Sequence, residues 1–130
     1  MVQMLYIEDE VMNQHVFQRL VTLFGYPEPI IWSDTQDLAT RIQQLPQAMD
    51  VVFVDINIAP LNGFEVLAHL KPHPDFANSK FIAFTAYVDA ETYYKIRKSG
   101  FDGMFLKPIE LERFEADLQR VLKGEIVWQG

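Results

Sequence analysis

Several short apolar runs in this sequence end on residues that can do chemistry. Residues 2–7 lead into Glu8-Asp9-Glu10, Val51-Val52-Phe53-Val54 into Asp55, Phe81-Ile82-Ala83-Phe84 into Thr85, and Met104-Phe105-Leu106 into Lys107-Pro108. An acid at the end of a buried strand is poorly explained by packing, because a buried charge needs a cation, a metal or several donors to stay ionised. Glu8, Asp9 and Asp55 at close range would repel one another and raise their pKa values unless a cation intervened. Oxygen donors with no Cys and no paired His suit Mg²⁺ or Mn²⁺, which keep open positions for waters and substrate oxygens. Lys107 offers a second positive charge. Together these charges would neutralise a transferring phosphoryl group while Asp55 acts as nucleophile and forms an acyl phosphate. The Thr85 hydroxyl could donate to a phosphoryl oxygen. Each residue also has a plainer reading: Glu8-Asp9 as acids favoured by a helix dipole, Asp55 and Thr85 as ordinary strand ends, Lys107 as a solvated turn residue.

Bringing these groups together requires strands that run the same way in one sheet. The run at 51–54, rich in β-branched residues, reads as a strand buried on both faces, the type found in parallel sheets. Residues 2–7, 81–84 and 104–106 read similarly, and 29–32 is a further short candidate. Between them the period changes. Met12, Val16, Leu20 and Leu23, widened by Phe17, Val21 and Phe24, predict a first helix closed by Gly25. Ser33 is expected to cap a second helix carrying Leu38, Ile42 and Leu45, stopped by Pro46. The loop 55–63 holds Pro60 and Asn62-Gly63, a dipeptide suited to positive φ. A third helix spans 64–70 and ends before Pro72. The fourth, at 89–99 with Gly100 after it, has only Ile96 as a large aliphatic, helped by Ala90, Tyr93 and Tyr94, and should be weakly held. Leu111, Phe114, Leu118, Val121 and Leu122 form the clearest amphipathic stripe, and 125–130 has no assignment. The alternation predicts an α/β domain with a parallel sheet covered on both faces, whose right-handed crossovers set all carboxyl ends along one crevice.

Composition narrows the function classes. The 130 residues, 49% hydrophobic and 22% charged, suit one domain with one core. A net charge of -7, from 11 basic and 18 acidic residues, would repel a nucleic-acid backbone, so no direct DNA binding is expected. The absence of cysteine excludes disulfides, thiolate metal sites and a Cys nucleophile. Neither a signal peptide nor a run of membrane-spanning length is present, so a soluble cytoplasmic protein is expected. His69 and His73 have the i, i+4 spacing of a metal pair, but Pro72 breaks the helix that would align them.

The acidic pair Glu8-Asp9, then Asp55, Gly63, Thr85-Ala86 and Lys107-Pro108, in this order and spacing, resembles the response regulator receiver domain (CheY-like superfamily), of single-domain type. The resemblance runs from Met4 to about Leu122, with residues 1–124 as the domain and 125–130 as a tail. It implies a flavodoxin-like, doubly wound five-stranded parallel sheet in the order 2-1-3-4-5, with helices on both faces. By that resemblance Asp9 binds metal directly and Glu8 through a coordinated water. Asp55 ligates the metal and accepts phosphate from a phosphohistidine on a sensor histidine kinase or histidine phosphotransfer protein. Asn57 contributes its backbone carbonyl to the metal, and Lys107 pairs with Asp55 before transfer and with the phosphoryl group after it.

Switching follows by the same resemblance. Thr85 would move toward the phosphoryl group and open space for Phe105 to turn inward, coupling the site to the surface of helix four, strand five and helix five and so to a downstream protein target. Homodimerisation stays open. Ala59 stands where the family usually has proline, with Pro60 following, and Tyr87 is expected at the site entrance, slowing dephosphorylation. A metal-dependent phosphatase would carry a second Asp where Asn57 stands, so the chain is not expected to turn over external substrates. A pure interaction module would not need the full acid, hydroxyl and amine set. A flavin site would need a phosphate-cradling loop where Glu8-Asp9-Glu10 stands.

Overall fold

A computed structural model describes residues 1–86 and 88–130, so Tyr87 lies outside the described residues. The apolar runs become the strands β1 (Met4–Ile7), β2 (Ile30–Trp32), β3 (Val51–Val54), β4 (Lys80–Thr85) and β5 (Gly103–Leu106). They pair in parallel in the order β2-β1-β3-β4-β5. The helices between them are α1 (Val11–Leu23), α2 (Leu38–Gln43), α3 (Gly63–Leu70), α4 (Ala90–Lys98) and α5 (Leu111–Leu122), with a 3-10 turn at Pro74–Phe76. Among the described residues no helix is long and apolar enough to cross a membrane.

Strand side chains alternate between faces, and the alternation splits the core in two. Met4, Tyr6, Phe53, Phe84 and Phe105 pack on Phe17 and Val21 of α1 and on Phe114, Leu118 and Val121 of α5. Leu5, Ile7, Val52, Val54 and Ala83 face the other way, onto α2, α3 and α4. Each fully buried Phe or Leu contributes roughly 1.5–3 kcal/mol, and these two layers fix the carboxyl ends of the strands along one rim.

Three local expectations are corrected. Met12, Leu23 and Leu111 are exposed, because the buried stripes are narrower than the apolar pattern: Phe17 and Val21 in α1, Phe114, Leu118 and Val121 in α5. Ser33 does not cap α2. That helix starts five residues later behind Asp37 in the left-handed region (φ 52), and the Ser33 hydroxyl accepts from Gln14 Nε2 at 3.1 Å. Asn62-Gly63 is not a positive-φ turn: Asn62 is extended and forms a capping box with Glu65. The unassigned segment after α5 is ordered against β5, with an isolated bridge between Met104 and Trp128. As expected, α4 has a thin apolar face, and Ile96 is its one buried residue.

Candidate functional site

The sheet ladder extends one residue beyond the strands and so places the site's backbone. Glu8 N donates to Trp32 O at 2.9 Å, Asp55 N to Ile7 O at 3.0 Å, and Lys107 N to Thr85 O at 2.7 Å. Glu8, Asp55, Thr85 and Lys107 therefore lie along one rim, and Asp9 follows Glu8 at the surface. Gly63 closes the floor. A Cβ there would lie 2.7 Å from Asp55 O and 2.8 Å from Ile56 Cα, so only glycine lets α3 approach the turn after Asp55. The loop in between is pinned by buried Thr35, whose hydroxyl donates to Leu61 O at 2.9 Å and accepts from Leu61 N at 2.6 Å. The Ala59–Pro60 and Lys107–Pro108 peptides are cis.

Glu8 is 1% exposed and its carboxylate is fully engaged. Oε1 accepts from the Tyr6 hydroxyl at 2.8 Å and from Asn13 Nδ2 at 3.3 Å, Oε2 accepts from Glu10 N at 3.2 Å, and the Lys107 ammonium pairs with Oε1. Asp55, 6% exposed, accepts from Asn57 N at 3.1 Å through Oδ1, and its Oδ2 lies 3.5 Å from Lys107 Nζ.

Two buried acids thus share one ammonium. Burial works against ionisation of Glu8, but the Lys107 ammonium and the Tyr6 hydroxyl outweigh it and hold that carboxyl below its ordinary range. Burial also pushes Asp55 up; Lys107 offsets this in part, and ionised Glu8 adds to it, leaving Asp55 at about 6. The Tyr6 phenol is driven well above its ordinary value by burial and by Glu8. Asp55 is therefore the less well compensated of the two acids.

The donor set fits a hard cation. Oxygens of Glu8, Asp9 and Asp55 lie within 4.8 Å of one another, and three carboxylates against one ammonium leave a negative excess that Mg²⁺ or Mn²⁺ would balance. Glu8 already faces inward to Lys107, so Asp9 and Asp55 are the better direct ligands. Asn57 is exposed beside them.

Thr85 is buried at the end of β4, but Phe105 does not stand where the expected coupling needs it. Its ring is already inside, with ring centroids 5.6 Å from Phe53, 5.8 Å from Phe84 and 6.0 Å from Phe114. Phe105 pairs with Phe84 and Leu106 with Thr85, so strand alternation turns Phe105 to the face opposite Thr85. The β5 residues on the Thr85 face are Met104 and Leu106. His69 and His73 do not form a pair: His69 Nδ1 lies 2.9 Å from Glu65 O, and His73 accepts from Asp75 N. Sequence reasoning missed Tyr6 and Thr35. A period of two placed Tyr6 on the same face as Glu8, whereas nothing local in the sequence links Thr35 to residue 61.

A family model described as the response regulator receiver domain matches residues 4–119. The polar-differentiation response regulator DivK of Brucella ovis is 28% identical over 108 residues, covering 83% of this chain and 85% of that protein. Two solved structures share the fold. A receiver domain protein from Methanospirillum hungatei superposes with a TM-score of 0.80 at 18% identity, covering 95% of each chain. The chemotaxis response regulator CheY4 of Vibrio cholerae gives 0.81 at 21% identity, covering 93% of this chain and 98% of that one.

Proposed function

This chain belongs to the response regulator receiver domain family, and on that premise we propose that Asp55 accepts a phosphoryl group from a phosphohistidine of a sensor histidine kinase or histidine phosphotransfer protein. The observation that carries the proposal is the charge arrangement at the rim: a buried Asp55 held at about 6, with Lys107 Nζ at 3.5 Å and the Glu8 and Asp9 carboxylates beside it. An Asp55 oxygen attacks phosphorus, the O–P bond forms, the N–P bond breaks, and the electron pair returns to the imidazole. Asp9 and Asp55, with the Asn57 backbone carbonyl, would hold Mg²⁺ or Mn²⁺, and Glu8 would act through a coordinated water. When bound, the cation neutralises charge on the phosphoryl oxygens.

The residues present do the rest. Glu8 fixes the Lys107 ammonium at the rim, where a transferred phosphoryl group with roughly -1.5 to -2 charge draws it away from the Asp55 carboxylate. The Thr85 hydroxyl donates to a phosphoryl oxygen. Asn57 stands where a second acid would be needed to process external substrates, so the chain promotes only its own phosphorylation and dephosphorylation. With one buried residue, α4 keeps two arrangements close in energy, and phosphorylation selects between them on the α4–β5–α5 surface that meets a downstream protein.

The test is mass spectrometry after incubation with acetyl phosphate and Mg²⁺. One added phosphoryl on the unaltered chain and none on Asp55→Ala supports the proposal; equal incorporation by both rejects it.

A further inference from the structure

Residues 125–130 have no part in phosphoryl transfer, yet they close one edge of the sheet. β5 is an edge strand, and an edge presents unpaired N–H and C=O groups to any extended chain that can reach them. Here the pairing is made in cis. The chain reverses at Gly124 (φ +91), and Val127-Trp128-Gln129 runs parallel to β5. Met104 N donates to Val127 O at 2.9 Å and Gln129 N donates to Met104 O at 2.9 Å. The Gln129 side chain completes the seat: Oε1 accepts from Leu106 N at 2.7 Å, and Nε2 donates to Asp117 Oδ2 on α5 at 2.7 Å. On the α4 side the Arg97 guanidinium lies 4.4 Å from the Trp128 ring centroid. Gly103 leaves the room, since a Cβ there would lie 2.6 Å from Val127 O.

We infer that the β5 edge is a docking groove for an extended peptide, that residues 125–130 hold it closed as a displaceable strap, and that its partner is a protein bearing an apolar–aromatic–amide segment which enters by taking the strap's place. The strap itself shows the chemistry the groove accepts. Main-chain pairing to Met104 is indifferent to sequence, while the Arg97 face selects an aromatic ring and the Leu106 N–H with Asp117 selects a carboxamide, which donates and accepts at once. The strap is also the pairing best suited to open. Its main-chain pairing is a bridge at one residue pair, whereas β4 and β5 pair over four residues; Val127 and Gln129 are buried against the domain, and Glu125 and Ile126 ahead of them are exposed. Short edge pairings of this kind open well before the sheet does. The groove lies on the surface assigned above to signalling, but the inference does not depend on Asp55 chemistry.

Amide exchange and peptide binding on the full chain test it. In the unaltered chain the Met104 and Leu106 amides should exchange faster than that of Val54 in β3. A fluorescently labelled Ile-Val-Trp-Gln peptide should bind the Trp128→Ala, Gln129→Ala double variant roughly tenfold more tightly than the unaltered chain, because the strap has lost its ring and carboxamide contacts and is displaced more easily. Bound peptide should restore slow exchange at Met104 and Leu106. Peptide that binds neither chain, or both equally, overturns the inference, as does exchange at Met104 and Leu106 as slow as at Val54. A dimer of the unaltered chain by sedimentation, with straps exchanged between copies, would overturn it in favour of a second copy. No metal or acyl phosphate enters the measurement, so failure of Asp55 phosphorylation and failure of the groove are separately visible.

Discussion

Lys107 decides the electrostatics of the rim because it can neutralise only one of two buried acids. It pairs with Glu8 and leaves Asp55 raised to about 6. The folded Asp55 therefore holds its proton more tightly than the unfolded residue, near 3.9, and its contribution to stability is greatest at low pH and is lost as pH rises from about 4 to about 6. Asp55→Asn removes that cost. It should gain roughly 1–2 kcal/mol at neutral pH, after allowing for water at the rim, and lose the decline between pH 4 and 6, as read by urea unfolding across that range. A variant no more stable than the parent at pH 7 would contradict this electrostatic account. Lys107→Ala should do the opposite. It strands Glu8 in the core without its cation, and the expected loss of about 3 kcal/mol is measurable by the same unfolding curves.

Helices differ in how firmly they are held, and the difference follows from their buried faces. α5 buries Phe114, Leu118 and Val121, whereas α4 buries Ile96 alone. Native-state exchange should therefore find α4 amides opening at lower free energy than α5 amides. Equal protection of the two helices, with and without an acyl-phosphate mimic, would count against α4 as the element that switches. At α3 the constraint is steric. In Gly63→Ala the new methyl meets backbone atoms at 2.7 and 2.8 Å, which cannot rotate away, so the helix start must shift. A loss of roughly 1–3 kcal/mol is expected, together with chemical-shift changes at the Asp55 and Asn57 amides.

Across the molecule, the carboxyl ends of β1, β3 and β5 gather opposite charges from segments far apart in the chain, and the negative excess there predicts a cation effect on stability. Mg²⁺ in large excess over its dissociation constant should raise the melting temperature at pH 7, by an amount equivalent to about 2.7 kcal/mol at a hundredfold excess. Asp55→Asn should lose most of that gain. Scanning fluorimetry against NaCl of matched ionic strength separates site binding from screening of the net charge of -7, and an equal shift with both salts would rule out a specific site.

Strand existence, strand direction and the identity of the rim residues were legible in the sequence, because a parallel strand buried on both faces is written as a continuous apolar run and a charge at its end stands out against it. The strand order came by resemblance and is the order found. What local pattern could not carry was which face each residue meets and what lies across from it. The family pattern assigns Phe105 to the switch, yet alternation from Phe84 turns it away from Thr85, and Met12, Leu23 and Leu111 fit the apolar period but lie outside the narrower buried stripes. Thr35 with Leu61, Lys107 with Glu8 ahead of Asp55, and the strap on β5 are pairings across 26, 99 and 23–25 residues. Only the folded sheet decides them, because the partners become neighbours through strand order and crossover direction, which no window of adjacent residues contains.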